Sequence, residues 1–466
     1  MSPPELKQGH KYICRPIKHP SEPRCTLVVE NGEIKARFVS FDGKISFDDR
    51  PVFLQTEELW IASLHRNYAS DGRRWMGEST VHTTDLYSNL MLVGQDAWRT
   101  GDGVKSACFR MPGVESLFKT SDRYKKIMDG KAFEIDTFDI HVTQTPWFNV
   151  RLTFAVTRDG YYENVSEAVP EIELIFKEGV ALSEMLRAVT CTERFFSCLS
   201  GRLLFADSLS VSRHSQEEYL DLVQRGELVS YHSVYRYHGK DQPKPETLEL
   251  YAAPVNLVSP EAQQSFDRAL SSWIRNYDKL EYPAYTMIEA LKSRRTISPN
   301  RLLNAWKWFE ALPETSSKRV VKREHSKTIA SLVSTELKNL GYDVDVEQRA
   351  KSAISKVSLE SNRDRFLRLT TLMQREFRPS FVGQNMVDWL CKAYEFRGGA
   401  AHGGRGISEA DFDPLELSID ALEAMNTLLL LSVLDLDAEP KERVGQHRMV
   451  ETFHFGAAKH DPSSFV

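Results

Sequence analysis

Around Ser259-Pro260-Glu261 the hydrophobic period of this sequence changes. Before that point apolar residues tend to alternate with polar ones, and after it they recur every three or four positions. Period two fits a sheet with one buried face, whereas a period near 3.6 fits helices with an apolar stripe. A chain patterned in this way is expected to be α+β, its strands and helices segregated along the sequence. With 466 residues and 41% hydrophobic content it is long enough for two or three cores. The expected organisation is a β-rich domain over residues 1–258, a helical domain over 259–438 and a polar tail over 439–466.

The clearest local signal in the first domain is a hairpin. Thr26–Glu30 and Glu33–Val39 read as strands, and Asn31-Gly32 between them supplies the two positive φ angles of a type I′ turn. Ile34, Ala36 and Phe38 alternate with charged residues, so one face is expected to be buried and the other wet. Further strands are expected near Leu90–Val93, Phe138–Val142, Val150–Val156, Glu171–Phe176 and Tyr231–Tyr235, with a turn at Asp159-Gly160. Between them Leu182, Met185, Leu186, Val189, Phe196 and Leu199 mark a helix, expected to pack across the sheet. His232 and His238 flank a Tyr-rich strand and are not part of a recognisable ligand cluster, which makes them residues of the fold, not ligands. Nothing here matches a phosphate-binding glycine loop, a nucleophile elbow or a metal cluster.

Beyond Pro260, Leu302, Leu303, Ala305, Trp306, Phe309 and Leu312 define a helix closed by Pro313. Ile329, Leu332, Val333, Leu337 and Leu340 define the next, with Gly341 placed for a left-handed C-terminal cap. Phe366, Leu369, Leu372, Met373 and Phe377 define a third. A helix is expected from about Asn385 to Phe396, then a glycine-rich turn, then a long helix opened by Asp413-Pro414-Leu415-Glu416. That last helix is apolar on nearly all sides, which places it at the centre of a bundle or against a second subunit.

Charge and cysteine content narrow the function. A formal net charge of −5 excludes a protein that coats nucleic acid along its whole surface but permits a local basic site. The six cysteines form no Cys-x-x-Cys pair and none lies at zinc-ligand spacing, so reduced thiols are expected and neither a metal nor a cofactor is implied. Met1-Ser2-Pro3-Pro4-Glu5 opens no basic stretch followed by an apolar core, and no apolar run reaches the ~20 residues of a membrane span. A cytoplasmic location without membrane association is therefore the expectation.

The candidate site is Phe396-Arg397-Gly398-Gly399-Ala400-Ala401-His402-Gly403-Gly404-Arg405-Gly406. An arginine followed by a histidine after four to six residues occurs four times in the sequence. Arg225…His232, Arg319…His325 and Arg448…His454 lie in a strand, a basic connector and the tail. Arg397…His402 differs because Met386, Leu390 and Ala393 step by four and three, and the next step of four lands on Arg397. A charge on a buried stripe is costly unless it is paired or serves a site. Two glycines in a helix cost about 1 kcal/mol each, which suggests close approach of something to Gly398 and Gly399.

A helical bundle with Arg-x4-His at the end of one helix and a long apolar helix after it resembles the HEPN domain of RNases and toxin-like defence proteins. The whole chain is similar to the ApeA-type members, through the strands near Cys25–Val39, the helix of Trp306-Lys307-Trp308-Phe309-Glu310, and Arg397-Gly398-Gly399-Ala400-Ala401-His402. Gly398 departs from the polar residue the family often has after the arginine. The resemblance implies a metal-independent endoribonuclease acting on RNA, with tRNA a candidate, in abortive infection against phage. Arg397 and His402 are then the catalytic residues, the N-terminal domain the regulatory sensor that a phage-derived trigger addresses, and the working form a homodimer or larger. Arg405, Lys318, Arg319, Lys322 and Arg323 are candidate RNA contacts, and Glu310 a candidate to orient the site. The rival reading is a HEPN protein that binds a nucleotide or partner without cleaving.

Overall fold

The structure is a computed structural model that describes the chain apart from residues 1–5, 18–22, 31, 43–44, 48–50, 77–78, 119–140, 160–163, 228–230, 237–253, 295, 378–381, 402–410 and 461–466. It is α+β: an antiparallel sheet in the N-terminal part and helices in the C-terminal part. The chain divides into two compact units. One comprises Met1–Glu193, Leu204–Thr247 and Leu257–Ser259, the other Arg194–Leu203, Leu248–Asn256 and Pro260–Val466.

Among the described residues of the first unit, twelve strands form one sheet in the order β3-β2-β1-β4-β5-β6-β12-β11-β7-β10-β9-β8. The strands that set its form are β1 (Lys11–Pro16), β2 (Cys25–Glu30), β3 (Glu33–Ser40), β4 (Val52–Thr56), β5 (Ile61–Met76) and β6 (Ser79–Gly94). The expected hairpin is β2–β3, with Glu30 opposite Glu33 and Gly32 at φ 76°; Asn31 lies outside the described residues. β6 is long enough to have two partners along one edge. Its residues His82–Ser88 pair with β3, and Leu90–Val93 pair with β12 (His232–Arg236). The β3–β6 pairing closes β1 to β6 into a six-stranded barrel, which the sequence pattern did not announce. Ile34, Ala36 and Phe38 point into it among Leu27, Leu64 and Met91, so the alternation separates inside from outside as expected.

The remaining strands are β7 (Val104–Phe109), β8 (His141–Thr143), β9 (Asn149–Asp159), β10 (Asn164–Val180) and β11 (Leu209–Ser212). Of the strand expected at Phe138–Val142, residues 138–140 lie outside the described residues, as does Gly160 of the Asp159-Gly160 turn. The expected helix, α1 (Leu182–Ser200), lies against this sheet: Glu193 takes an ion pair from Arg236 of β12 at 2.7 Å and accepts the Ala206 N–H at 2.8 Å. His232 is fully buried, its Nε2 2.9 Å from the Asp96 carbonyl oxygen and its ring 5.0 Å from that of Trp98. It is a residue of the fold; His238 lies outside the described residues. A short helix, α2 (Gln216–Gln224), follows β11 and begins with a Ser215/Glu218 capping box.

The second unit is built on α3 (Pro260–Ser293), α4 (Pro299–Ala311), α5 (Arg323–Asn339), α6 (Val344–Val357), α7 (Asn362–Glu376), α8 (Gln384–Ala401) and α9 (Phe412–Leu431). α9 is the all-round apolar helix, and nearly every residue from Pro414 to Leu431 is buried. It packs against α4 and α8 and against a helix that follows it, so its own unit covers it and no second subunit is needed for that. With the turn after it, α9 is long and apolar enough to cross a membrane, but 89% of that stretch is buried inside the protein.

The C-terminal region and α5 also depart from the sequence pattern. The region expected as a tail from 439 carries α10 (Ala438–Arg443) and α11 (Arg448–Ala457), and Val444, Met449, Val450 and Phe453 are buried. His447 caps α11: its Nδ1 accepts the Met449 N–H, and its Nε2 lies 2.9 Å from the Cys198 carbonyl oxygen. Burial holds the imidazole down to a pKa of about 4, hence neutral. The second departure is α5, whose Ile329, Leu332 and Leu340 are exposed instead of facing the bundle.

A buried ion network joins α4 to α9. Arg301 donates through Nε to Glu423 Oε1 at 3.0 Å and through Nη2 to Glu423 Oε2 at 2.9 Å and Asp420 Oδ1 at 2.6 Å, and Arg294 Nε lies 3.5 Å from Glu423. Burial raises the Asp420 carboxyl to about 6 against the pull of Arg301. None of the six cysteines forms a disulfide.

Candidate functional site

α8 differs from its expected form at its end. The helix was expected to stop near Phe396, yet it runs through Gly398 and Gly399 to Ala401. Met386, Val387, Trp389, Leu390 and Ala393 are all buried, so the stripe that leads to Arg397 is a packed one. A Cβ built on Gly398 meets nothing within 4 Å. Within the chain, then, nothing described presses on this glycine.

Arg397 itself is neither in solvent nor in the core. Its guanidinium carbon lies 4.9 Å from the ring centroid of Trp306, and Nη2 lies 2.9 Å from Glu310 Oε1. The same carboxylate oxygen accepts the Trp306 Nε1–H at 2.8 Å. Trp306 and Glu310 are four apart on α4 and so present one face to α8. Tyr394, one turn before Arg397, adds an aromatic contact to Trp306 at 5.8 Å. An indole face attracts a cation, and a carboxylate at its edge fixes which way the guanidinium fork points. Trp306 is 2% exposed, while the side chains of Arg397 and Glu310 are 34% and 48% exposed. The cation is thus pre-aimed by a rigid platform and reachable from outside.

A second guanidinium, not foreseen from the sequence, lies near. Arg365 on α7 places its guanidinium carbon 4.7 Å from the ring centroid of Phe309, and its buried Nε has no hydrogen-bond partner among the described residues. Burial lowers its pKa, opposed first by the charge of Glu310 and then by that of Glu360, while Arg368 and Arg397 lower it further. Two arginines therefore share the field of one half-exposed carboxylate. The signal for Arg365 was hidden because it sits beside, not on, the apolar stripe of α7.

The basic connector is adjacent through Glu360. That carboxylate takes the guanidinium of Arg368 at 2.7 Å and the Lys318 N–H at 2.9 Å, and Arg319 donates to Ser358 Oγ at 3.0 Å. Lys322 and Arg323, exposed, begin α5. His402 and Arg405, the partners expected for Arg397, lie outside the described residues. Among the described residues no group of three or more His, Cys, Asp and Glu side chains is placed to hold a metal ion. No family model matches the chain, and neither a curated protein nor a solved structure matches it.

Proposed function

We propose that this chain is an endoribonuclease of the HEPN type that uses Arg397 and His402, and that it acts in abortive infection against phage. One observation carries the reading: a guanidinium at the end of a buried stripe, held on Trp306 and steered by Glu310, five residues from a histidine in a glycine-rich segment. A planar cation so held is suited to a phosphodiester, because its fork matches two phosphate oxygens.

In the proposed reaction the ribose 2′-hydroxyl loses its proton to a neutral His402 and its oxygen attacks the neighbouring phosphorus. Arg397 stabilises charge on the non-bridging oxygens. The bond from phosphorus to the 5′-oxygen breaks, and a protonated His402 from a second copy of the chain gives that oxygen its proton, leaving a 2′,3′-cyclic phosphate. An ordinary imidazole pKa near 6.5 suits both roles. The first unit is the proposed restraint on cleavage.

Incubation of purified protein with total RNA tests this reading. Cyclic phosphate ends that vanish in Arg397→Ala and His402→Ala variants of unchanged fold and association state are the expected result. Cleavage that persists in both variants removes the site assignment. Binding of RNA or a nucleotide that requires Arg397, with no cleavage under any condition, establishes the non-catalytic alternative.

A further inference from the structure

α5 and α6 form an antiparallel helical hairpin whose two ends differ in kind. At the base, Val320 and Val321 donate backbone N–H groups to the Ser358 carbonyl, and Glu360 donates to that of Lys318, so a short strand-like clip ties the hairpin down. Along the seam Ser334 and Lys351 bind the buried carboxylate of Glu347, which Lys351 holds well below the usual carboxylate range. Val333, Leu337, Val346 and Ile354 are half-buried in the same seam, but it does not take up every apolar residue of the hairpin. Ile329 (45%), Leu332 (67%), Leu340 (65%) and Val357 (76%) are exposed. On α5 and its two caps the first three lie on one stripe, at steps of three and eight, with the N-cap Lys322 at its start and Glu336 near its end. Helical spacing about the Ser334–Glu347 seam puts Val357 on the same side.

From this we infer that the α5–α6 face is a self-association surface, and that its occupant is the same face of a second copy in antiparallel register. Charge decides the register. A two-fold axis between Ile329 and Leu332 brings Glu336 of each copy to Lys322 and His325 of the other, whereas a parallel pairing sets like ends together. Size is adequate as well. Seventeen residues of α5 span about 25 Å, and two helices side by side give a face of roughly 500 Å² per copy, near the ~1,000 Å² total that a specific interface needs. The inference stands apart from the nuclease reading: its test reads association and not cleavage, so the two fail separately.

Light scattering coupled to gel filtration of the full chain at tens of micromolar reads it directly. The wild type is expected at twice its 53.3 kDa, and Ile329→Glu/Leu332→Glu at 53.3 kDa with an unchanged helical melting curve, since both side chains are exposed. Glu336→Lys and Lys322→Glu/His325→Glu are each expected to weaken association at least tenfold, and an equimolar mixture of the two is expected to recover a dimer. A monomeric wild type, a dimer unaffected by the double glutamate variant, or charge variants that fail to pair on mixing overturns the inference.

Discussion

The guanidinium of Arg397 lies 4.9 Å from the ring centroid of Trp306, on the indole whose N–H is bound to the carboxylate that also pairs with that guanidinium. Two interactions of different range thus act on one cation. The cation–π contact holds the guanidinium over the indole and survives a change of counter-ion; the carboxylate neutralises it and competes with any phosphate that arrives.

Glu310→Gln separates those roles. An ion pair this exposed contributes within about 1 kcal/mol, so the substitution is expected to shift the melting temperature by only a few degrees. The new amide oxygen still accepts the Trp306 N–H, but the side chain no longer neutralises Arg397. KM for RNA is expected to fall severalfold at low salt with kcat little changed, as steady-state cleavage at several ionic strengths will show. A rise in KM instead assigns Glu310 to positioning.

Arg397→Lys keeps the charge but loses the planar fork and most of the stacking. Cleavage is expected to fall by about 100-fold or more while the helical circular dichroism is unchanged, which corresponds to roughly 3 kcal/mol of transition-state stabilisation. Activity within tenfold of wild type shows that a point charge at this position suffices.

Much of this was legible in the sequence, and the parts that were not share a cause. The hairpin at Gly32, the break at Pro260 and the Met386-Leu390-Ala393 stripe are local patterns, set by backbone freedom or helical period. Closure of the barrel depends on β6 pairing with β3 along half its length and with β12 along the rest, a non-local choice that no window of residues encodes. Ile329 and Leu332 show the converse limit: the stripe predicts that a face wants cover but not whether the same chain supplies it. The C-terminal segment reads as a tail because His447, Val450 and Phe453 are spread among charged residues; their burial comes from the place α11 finds beside α9.

Gly398→Ala tests what the glycines are for. The site has no positive φ and open space around the added methyl, so the substitution is expected to stabilise α8 by about 0.5–1 kcal/mol. Thermal melting checks that sign. If RNA or a second copy uses the space, cleavage falls although stability rises; if both rise together, the glycine is a departure from the family without a steric task.

Arg301→Leu is expected to be severe. It leaves the buried Asp420 and Glu423 facing each other with only Arg294 near, and breaking a buried pair in this way costs about 3–5 kcal/mol. Helical ellipticity is expected to be lost roughly 10 °C earlier in a melt. A loss within about 2 °C would mean that the two carboxylates protonate and share a hydrogen without difficulty.

His447 makes the helical unit sensitive to acid. Its imidazole is neutral in the fold with a pKa of about 4, against about 6.5 when unfolded. Between those values the unfolded chain binds a proton that the folded chain does not, so stability is fully present above about pH 6.5 and falls as pH drops toward about 4, by about 3 kcal/mol in all. Asp420, raised to about 6, acts the other way: its contribution is complete below about 4 and is lost as pH rises through about 6, which flattens the net profile. The comparison that isolates His447 is therefore with His447→Gln, which retains a donor toward the Cys198 carbonyl and leaves Asp420 in place. Urea midpoints from pH 7 to pH 4.5 are expected to fall more steeply in the wild type than in the variant, and parallel curves would assign the acid sensitivity to another group.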